Sequence, residues 1–381
     1  MADEAQKNAK IEKGLAGVVV DTTAVSEVIP ELSALTYRGY PVDQLARECS
    51  FEEVAFLLWN GELPNRKELA AFRRAERKER ELSPRMLKVI AAFPKSAHPM
   101  DTIRTAVSML GTEEKTAWGG EGEAKDRARA MKMLAKIPTM VATDFRLRQG
   151  KRRIKPRGNL SIAENFLAMC FGAVPPKEVV RAFDVSLILY AEHSFNASTF
   201  AARVVSSTRA DIYAAAVAGI AALKGPLHGG ANEAVMHMLK EIGKPERAEA
   251  WLRKKLEAKE LVMGFGHRVY RIGDSRVPSM KAALKDLSDW KGDHNWIEIE
   301  DRLERIMVGE KKIYPNLDFP AGPAYYLMGF PIELYTAIFV MSRITGWCAH
   351  VFEQSADNRL IRPLSAYNGQ GRRDAAPLAA R

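Results

Sequence analysis

The sequence predicts an all-α protein with a minor β element, and three observations support this class. Helix-start and helix-stop signals recur along the chain, whereas strand signals are confined to a short stretch near the N-terminus. No internal repeat and no heptad array is present. Hydrophobic residues make up 47% and charged residues 27% of the 381 positions, which is the composition of a globular protein and not of a disordered or collagen-like chain.

Helix signals begin at residue 50. Ser50 and Glu53 form a capping-box pattern ahead of an apolar run that Gly61 ends. Further helix starts are predicted at Asn65 with Glu68, at Ser83-Pro84, at Asp101 with a stop at Gly111, at Ser161 with Glu164, and after Pro175-Pro176.

The β element is predicted from two short segments. Residues 17–23 (GVVVDTT) and 35–40 (LTYRGY) are rich in β-branched and aromatic residues, and both are short. They predict one small N-terminal sheet.

A change in the pattern of helix and loop signals near residue 229 predicts the domain organisation. Residues 229–332 alternate short helices with glycine-marked loops, and strong helical segments follow them. We therefore expect a large domain formed by residues 1–228 and 333–381, with a smaller domain of residues 229–332 inserted between its two parts.

Net charge, cysteine spacing and targeting signals together limit the classes of function that the sequence allows. The net charge of +10 is spread out, and its densest cluster, at 151–157, is interpreted either as a solvated turn or as a site for an anionic ligand such as a phosphorylated cofactor. Three cysteines without metal-ligand spacing exclude a disulfide scaffold. The polar N-terminus resembles no targeting segment, and the apolar run at 185–191 is too short for a membrane helix. We expect a cytoplasmic protein that binds neither nucleic acid nor membrane.

Three histidines lie in loops rich in glycine and polar residues. They are His193 in YAEHSFNAST, His228 in KGPLHGGANE and His267 in MGFGHRVYRIGDSR. Glycines close to His228 and His267 indicate that the backbone approaches another chain segment or a ligand there. The spacing of these histidines does not suit a metal, and neither a nucleophile elbow nor a nucleotide-binding loop is present. No metal and no cofactor is therefore expected.

A carboxylate and several arginines complete the candidate chemistry. Asp318 in YPNLDFPAGPAYY is either a turn aspartate or a carboxylate base in a partly apolar pocket. The nearby arginines are Arg271, Arg276, Arg343 and Arg362, whose planar forks suit carboxylates and phosphates. Two neutral imidazoles, one carboxylate base and several arginines suit enolisation next to a carbonyl, followed by attack on an α-keto acid.

Long ordered motifs carry a family resemblance. AEHSFNASTFAARV, KGPLHGGANEAVM, GFGHRVY with DSR, YPNLDF, and SRITGW with RLIRP resemble, in order, the signatures of citrate synthases and 2-methylcitrate synthases. The resemblance extends over nearly the whole chain. It implies a nearly all-α fold in which a small domain closes over a cleft, and a homodimer whose active sites are completed by the partner subunit. The length resembles the short dimeric type, which implies no regulation by NADH.

The resemblance also implies catalytic roles. Asp318 removes a proton from the α-carbon of the acyl thioester, His228 stabilises the enol, and His267 donates to the keto oxygen of oxaloacetate. Hydrolysis of the thioester then releases coenzyme A, so that the coenzyme A thioester is a substrate and not a cofactor.

Binding residues are implied in the same way. The oxaloacetate carboxylates are bound by His193, Arg276, Arg343 and, across the dimer, by Arg362 of the partner subunit. Contacts with coenzyme A are implied for Leu261, Val262, Met263, Gly264 and Arg271.

Two questions stay open at the level of sequence. The acyl donor is acetyl-CoA, propionyl-CoA or both, and the alternative to a dual enzyme is a dedicated 2-methylcitrate synthase of propionate catabolism. A hypothesis of another class is a catalytically silent relative, against which the presence of His228, His267 and Asp318 argues. A basic nucleic-acid-binding protein is the other possibility of this kind, but it would need a continuous basic face, which the cluster at 151–157 does not supply alone.

Overall fold

The computed structural model describes residues 11–114, 122–267, 269–270 and 272–380. These ranges contain sixteen α-helices and one small sheet, which confirms the predicted all-α class with a minor β element. The helices are α1 (Val42–Glu48), α2 (Phe51–Asn60), α3 (Arg66–Glu79), α4 (Pro84–Ala92), α5 (Pro99–Thr112), α6 (Glu123–Arg148), α7 (Ile162–Phe171), α8 (Lys177–Tyr190), α9 (Ala197–Ser207), α10 (Ile212–Leu223), α11 (Ala231–Ile242), α12 (Ala248–Glu257), α13 (Val277–Lys291), α14 (Asn295–Ile306), α15 (Asp318–Leu327) and α16 (Tyr335–Ala356).

Most of the predicted helix starts are confirmed by their caps. Capping boxes stand at Ser50, Asn65 and Ser161, where each cap side chain and its glutamate three residues later exchange hydrogen bonds with the backbone. The start predicted at Asp101 is wrong, because α5 begins two residues earlier, at Pro99. His98 supplies the cap, since its Nδ1 accepts the backbone N–H of Met100 at 3.2 Å.

The sheet contains three antiparallel strands in the order β1 (Ser26–Ile29), β2 (Ala34–Tyr37) and β3 (Tyr40–Pro41). The strand predicted at residues 17–23 is wrong, since that segment forms no strand and its valines are solvent-exposed. The strand predicted at residues 35–40 is interrupted at 38–39, where two residues with positive φ turn the chain from β2 into β3.

The core is built around α16, which is buried along most of its length. This helix packs against α6, α9, α10 and α8, and α8 in turn packs against α13. The helices α8, α15 and α16 carry candidate site residues at their ends or on buried faces. Their packing therefore holds these residues in place from several sides. The basic cluster at 151–157 is a non-helical segment between α6 and α7, as the turn interpretation predicts, and its Arg153 pairs with Glu81.

The chain divides into two compact units. One comprises residues 23–359 and holds the sixteen helices and the sheet. The other comprises residues 1–22 and 360–381; within its described part the secondary structure is limited to short 3-10 turns, and Val19 (88%) and Tyr367 (79%) are largely exposed. The large and small domains at 1–228, 229–332 and 333–381 stay a prediction.

Among the described residues, no single helix is both long enough and apolar enough to cross a membrane. Only Asp318–Leu327 and Ile332–Ala356, a pair bent by 119°, reach that length and composition together.

Candidate active site

Six of the predicted site residues lie in the 23–359 unit, five of them in loops or at helix ends and one inside a helix. They are His193 in the loop after α8, His228 in the turn between α10 and α11, His267 in the segment after α12, Arg276 directly before α13, Asp318 as the first residue of α15, and Arg343 within α16.

Direct contacts bring these residues together. The rings of His193 and His267 lie edge to face with their centroids 5.0 Å apart. The Asp318 carboxylate accepts a hydrogen bond from Tyr190, and the Tyr190 carbonyl accepts one from Arg343. The charges of Arg276 and Arg343 act on both His193 and Asp318, and the charge of Arg343 also acts on His228. The structure therefore brings the six side chains near one another, and their catalytic and binding roles stay a prediction.

His228 is held in one tautomer. The backbone N–H of Ser198 donates to His228 Nε2 at 3.2 Å, so this nitrogen is an acceptor and the proton of the neutral ring lies on Nδ1. Burial, followed by the charge of Arg343, lowers the pKa of His228 to about 4. The ring is therefore neutral at pH 7, and Nδ1–H is its donor.

His267 shows the opposite arrangement. Its Nδ1 accepts the backbone N–H groups of Val269 at 3.1 Å and Tyr270 at 3.2 Å, so the proton lies on Nε2. Burial and then Arg276 lower its pKa to about 4. The site thus holds two neutral imidazoles, each with one fixed N–H donor.

His193 presents a buried ring nitrogen without a partner. Its Nε2 makes no hydrogen bond in the described chain, although the side chain is almost fully removed from water. Burial, Arg276 and His267 hold its pKa well below the usual range, so this ring is also neutral. A buried polar atom in this state is expected where a ligand supplies the missing partner.

Asp318 has the environment of a base. Its Oδ1 accepts the hydroxyl of Tyr190 at 2.7 Å, and its backbone N–H donates to Asn316 Oδ1 at 3.2 Å. Burial raises the pKa of Asp318 to about 6, although the hydrogen bond from Tyr190 and the charge of Arg276 oppose the rise. A carboxylate whose pKa lies close to neutral pH is suited to general base catalysis.

Arg276 is held by Asp274, which sequence reasoning did not assign. Asp274 accepts from Arg276 Nε at 2.9 Å and from Nη2 at 2.7 Å, and it also accepts the backbone N–H of Leu317 at 3.2 Å. Burial disfavours the charge of Arg276, but Asp274 outweighs this effect and raises the pKa. The carboxylate therefore fixes one edge of the guanidinium and leaves Nη1 for a ligand.

Arg343 has no such partner. Its Nε donates to the carbonyl of Tyr190 at 2.7 Å, and its guanidinium lies over the ring of Phe339 at 4.8 Å. The side chain is 2% exposed, and no described carboxylate forms an ion pair with it. Burial lowers its pKa to about 10, so the group is still charged at pH 7. A buried guanidinium without a carboxylate indicates a binding site for an anion.

The segment predicted to contact coenzyme A lies beside Asp318. Leu261, Val262, Met263 and Gly264 precede an isolated bridge between Phe265 and Pro315. The carbonyl of Gly264 accepts the backbone N–H of Asn316 at 2.9 Å, two residues before the base. Leu261 is 84% exposed, whereas Val262 is buried.

Two predicted residues are not placed in this cluster. Arg271 lies outside the described residues. Arg362 belongs to the unit of residues 1–22 and 360–381, where it is exposed.

A buried ionic network next to His193 was missed by sequence reasoning. Glu192 Oε1 contacts His350 Nε2 at 2.9 Å and accepts the hydroxyl of Ser26 at 2.9 Å. His350 lies on the buried face of α16. The one local signal was a glutamate directly before His193. Sequence spacing could not show the partner, because 158 positions separate it from Glu192.

Metal ligands are not clustered in the described part of the chain, where no group of three or more His, Cys, Asp or Glu side chains could hold an ion. The fold and the site therefore define an acid–base catalyst for an anionic substrate, built from one carboxylate, neutral imidazoles and buried guanidinium groups.

Comparisons with known proteins identify the family. The family model for the citrate synthase C-terminal domain matches residues 14–364. The chain is 58% identical to a citrate synthase from Mycolicibacterium smegmatis, with 96% of each chain covered, and 58% identical to a 2-methylcitrate synthase from Mycobacterium tuberculosis, with 95% of this chain and 92% of the relative covered. It also resembles the ternary complex of carboxymethyl coenzyme A and oxaloacetate with citrate synthase from Thermoplasma acidophilum, with 35% identity, a TM-score of 0.91, and 98% and 100% of the two chains covered.

The chain belongs to the citrate synthase family. The resemblance inferred from its motifs is thereby confirmed.

Proposed function

We propose that the protein condenses oxaloacetate with the α-carbon of a short acyl-CoA, hydrolyses the resulting thioester and releases coenzyme A. Acetyl-CoA gives citrate in this reaction, and propionyl-CoA gives 2-methylcitrate. The observation that carries the proposal is the buried, unpaired Arg343, in a cluster that also holds the partnerless Nε2 of His193 and the base Asp318. A small substrate with carboxylate groups would supply what both groups lack.

The first chemical step is enolisation. An oxygen of Asp318 takes a proton from the α-carbon, and the C–H electron pair becomes the enol double bond as negative charge develops on the thioester oxygen. His228 Nδ1–H is the donor assigned to this oxygen, because its Nε2 is already occupied by Ser198. A weakly acidic thioester needs such a preorganised donor, which stabilises the charge only as it forms.

The second step forms the carbon–carbon bond. The enol attacks the keto carbon of oxaloacetate, the electron pair of the C=O bond moves to the keto oxygen, and this oxygen takes the proton of His267 Nε2, the nitrogen left as donor by the two backbone contacts at Nδ1. The proton that Asp318 took from the α-carbon replaces it by the end of the turnover, so that His267 is again neutral and Asp318 again ionised. Water then cleaves the thioester, which makes the sequence irreversible. The reaction needs no cofactor, because the activated carbon is delivered as a coenzyme A thioester.

Thiol release tests this function directly. Purified protein is mixed with oxaloacetate and acetyl-CoA, propionyl-CoA or butyryl-CoA, and free thiol is followed with time. We expect release only when oxaloacetate and an acyl-CoA are both present. Absence of release from all three donors would refute the function.

The acyl donor is proposed to be acetyl-CoA and propionyl-CoA alike. Relatives bearing either name are equally similar to the chain, at 58% identity. One methylene in an apolar pocket changes selectivity by only about 1–3 kcal/mol, or roughly 10- to 200-fold. Values of kcat/KM that lie within this range of each other support a dual enzyme. Preference for propionyl-CoA beyond it supports the dedicated 2-methylcitrate synthase.

Coenzyme A is proposed to lie along Leu261–Gly264. The support is geometric, since the segment begins at the exposed Leu261 and is hydrogen-bonded through the carbonyl of Gly264 to Asn316, two residues before Asp318. An acyl group attached to coenzyme A bound there would be close to the base.

The protein is proposed to act as a homodimer, with Arg362 of the partner subunit binding oxaloacetate. The support is that the unit of residues 1–22 and 360–381 leaves Val19, Leu364 and Tyr367 largely exposed, as is typical of a surface that a partner covers. Mixing Arg362→Ala chains with His228→Ala chains should restore part of the activity through hybrid dimers. Absence of rescue, with subunit exchange shown independently, would contradict the shared site.

The residues at 229–332 are proposed to close over the cleft when oxaloacetate binds. Of the proposed oxaloacetate ligands, Arg276 lies in this predicted small domain, whereas His193 and Arg343 lie in the large one. A dianion bound by all three favours the closed form, so oxaloacetate should increase the affinity for acyl-CoA. Calorimetric titration of a non-reactive acyl-CoA analogue, with and without oxaloacetate, tests this; equal affinities would contradict it.

A further inference from the structure

We propose that Tyr190 is a positioning residue for the proton abstraction: its hydroxyl holds one oxygen of the Asp318 carboxylate, so that the other oxygen takes the α-proton. The inference rests on the function proposed above. It assigns a role to the first residue of the YAEHSFNAST motif, which the sequence analysis left without one, and it distinguishes the two oxygens of the base.

The contact itself is direct. Tyr190 Oη donates to Asp318 Oδ1 at 2.7 Å. No hydrogen bond to Oδ2 is present among the described residues, so the carboxylate is held at one oxygen and available at the other. A single short hydrogen bond to Oδ1 fixes the rotation of the carboxylate about its Cβ–Cγ bond. A carboxylate that rotated freely would have to lose this rotational freedom on reaching the transition state.

Tyr190 is itself fixed on three sides. It is the last residue of α8 and is 2% exposed. Its ring packs on that of Phe339 with centroids 4.1 Å apart, and its carbonyl accepts Arg343 Nε at 2.7 Å. One residue thus connects the base to the guanidinium that we propose for oxaloacetate, and the position of the hydroxyl does not depend on a flexible side chain.

The hydroxyl acts as a donor and does not compete as a base. Burial, followed by the neighbouring charge of Asp318, raises the pKa of Tyr190 well above its usual value, so the phenol keeps its proton. Its bond favours the ionised form of Asp318, as do the charges of Arg276 and Arg343, whereas burial and Asp274 favour the protonated form. Without the hydroxyl, this balance moves the pKa of Asp318 upward.

Tyr190→Phe removes the oxygen and keeps the ring. We expect the acidic limb of the pH profile of kcat/KM for acetyl-CoA to move upward by about one pH unit, and kcat at its plateau to fall on the order of ten- to a hundredfold, the range typical of one hydrogen bond to a charged group. The isotope effect with deuterated acetyl-CoA should increase, because proton abstraction becomes more fully rate-limiting. A packing role alone would change neither the pH limb nor the isotope effect.

Tyr325→Phe is the matched control. Tyr325 is a buried phenol that also lies within the electrostatic reach of Asp318, but its hydroxyl donates to Ser186 Oγ at 3.1 Å. We expect this variant to keep the acidic limb of the parent protein. An unchanged limb and plateau in folded Tyr190→Phe would overturn the proposal, and so would an equal displacement in both variants.

Replacing Tyr190 with 3-fluorotyrosine gives a test of opposite sign that preserves the packing. A more acidic phenol donates a stronger hydrogen bond, so the acidic limb should move downward; an upward or absent displacement would overturn the proposal. The parent protein separates this inference from the function. If the parent releases no thiol, the proposed function fails, whereas a fully active parent with unresponsive variants refutes only the role of Tyr190.

Discussion

Gly264 is a position at which one added methyl group should disturb the site. Its φ is +84°, and a Cβ placed there would lie 2.8 Å from Phe319 Cδ2 and 2.9 Å from Val235 Cγ2. Gly266 has nearly the same φ, +83°, but its nearest contact to such a Cβ is Ile313 Cγ2 at 3.8 Å. The two glycines therefore share one backbone constraint and differ in packing.

The expected magnitudes follow from this difference. Alanine in the left-handed region costs about 1 kcal/mol at either position. Gly264→Ala adds an overpacking cost of about 1–3 kcal/mol, because both neighbours are buried side chains. We expect a loss in the free energy of unfolding of about 2–4 kcal/mol for Gly264→Ala and about 1 kcal/mol for Gly266→Ala.

Urea unfolding and steady-state kinetics together provide the assay. Because Phe319 directly follows Asp318, displacement of its ring should also lower kcat with acetyl-CoA in Gly264→Ala, whereas Gly266→Ala should keep kcat close to that of the parent protein. Equal losses of unfolding free energy in the two variants would show that the backbone angle alone matters and that the contact with Phe319 does not constrain the segment.

Two further predictions concern the charged groups. Asp318→Asn should lower kcat by more than about tenfold while calorimetry shows nearly unchanged oxaloacetate binding, because the carboxylate acts on the acyl donor; a variant that keeps its kcat would exclude Asp318 as the base. Arg343→Met and Arg276→Met should both weaken oxaloacetate binding, but only Arg276→Met should lose about 3–5 kcal/mol of unfolding free energy, since it leaves the carboxylate of Asp274 buried without a counter-charge. Similar stability of the two methionine variants would contradict the assignment of Arg343 as the unpaired cation.

Local signals predicted much of this structure. Capping boxes at Ser50, Asn65 and Ser161 depend on residues three positions apart, so the sequence shows both partners at once. The glycine-framed loops around His228 and His267 were informative for a similar reason. Backbone N–H groups from their own loop or from the start of a neighbouring helix fix the two rings, and such loops place backbone close to side chains.

Long-range partners could not be predicted. Tyr190 and Asp318 are separated by 128 positions, and each has an ordinary interpretation as the last residue of a helix or as a turn aspartate. The valines at 18–20 led to the prediction of a strand that does not form. Their β propensity is real, but a strand forms only where a partner strand offers hydrogen bonds, and β2 pairs instead with Ser26–Ile29.

The charges in the site give a reason to expect that the partner subunit contributes a cation. Asp274 neutralises Arg276 before any substrate arrives, whereas no described carboxylate forms an ion pair with Arg343, the other arginine of the 23–359 unit that we propose to bind oxaloacetate. Oxaloacetate carries two negative charges, and the ionised Asp318 adds a third nearby. One free guanidinium cannot balance a dianion in a buried site, because each unpaired charge there is costly. We therefore propose that a second cation enters with or before the substrate and that Arg362 of the partner subunit supplies it. The contribution of residue 362 in the hybrid dimers tested above should then depend on its positive charge as well as on its shape. Arg362→Lys should therefore retain more oxaloacetate affinity than Arg362→Gln.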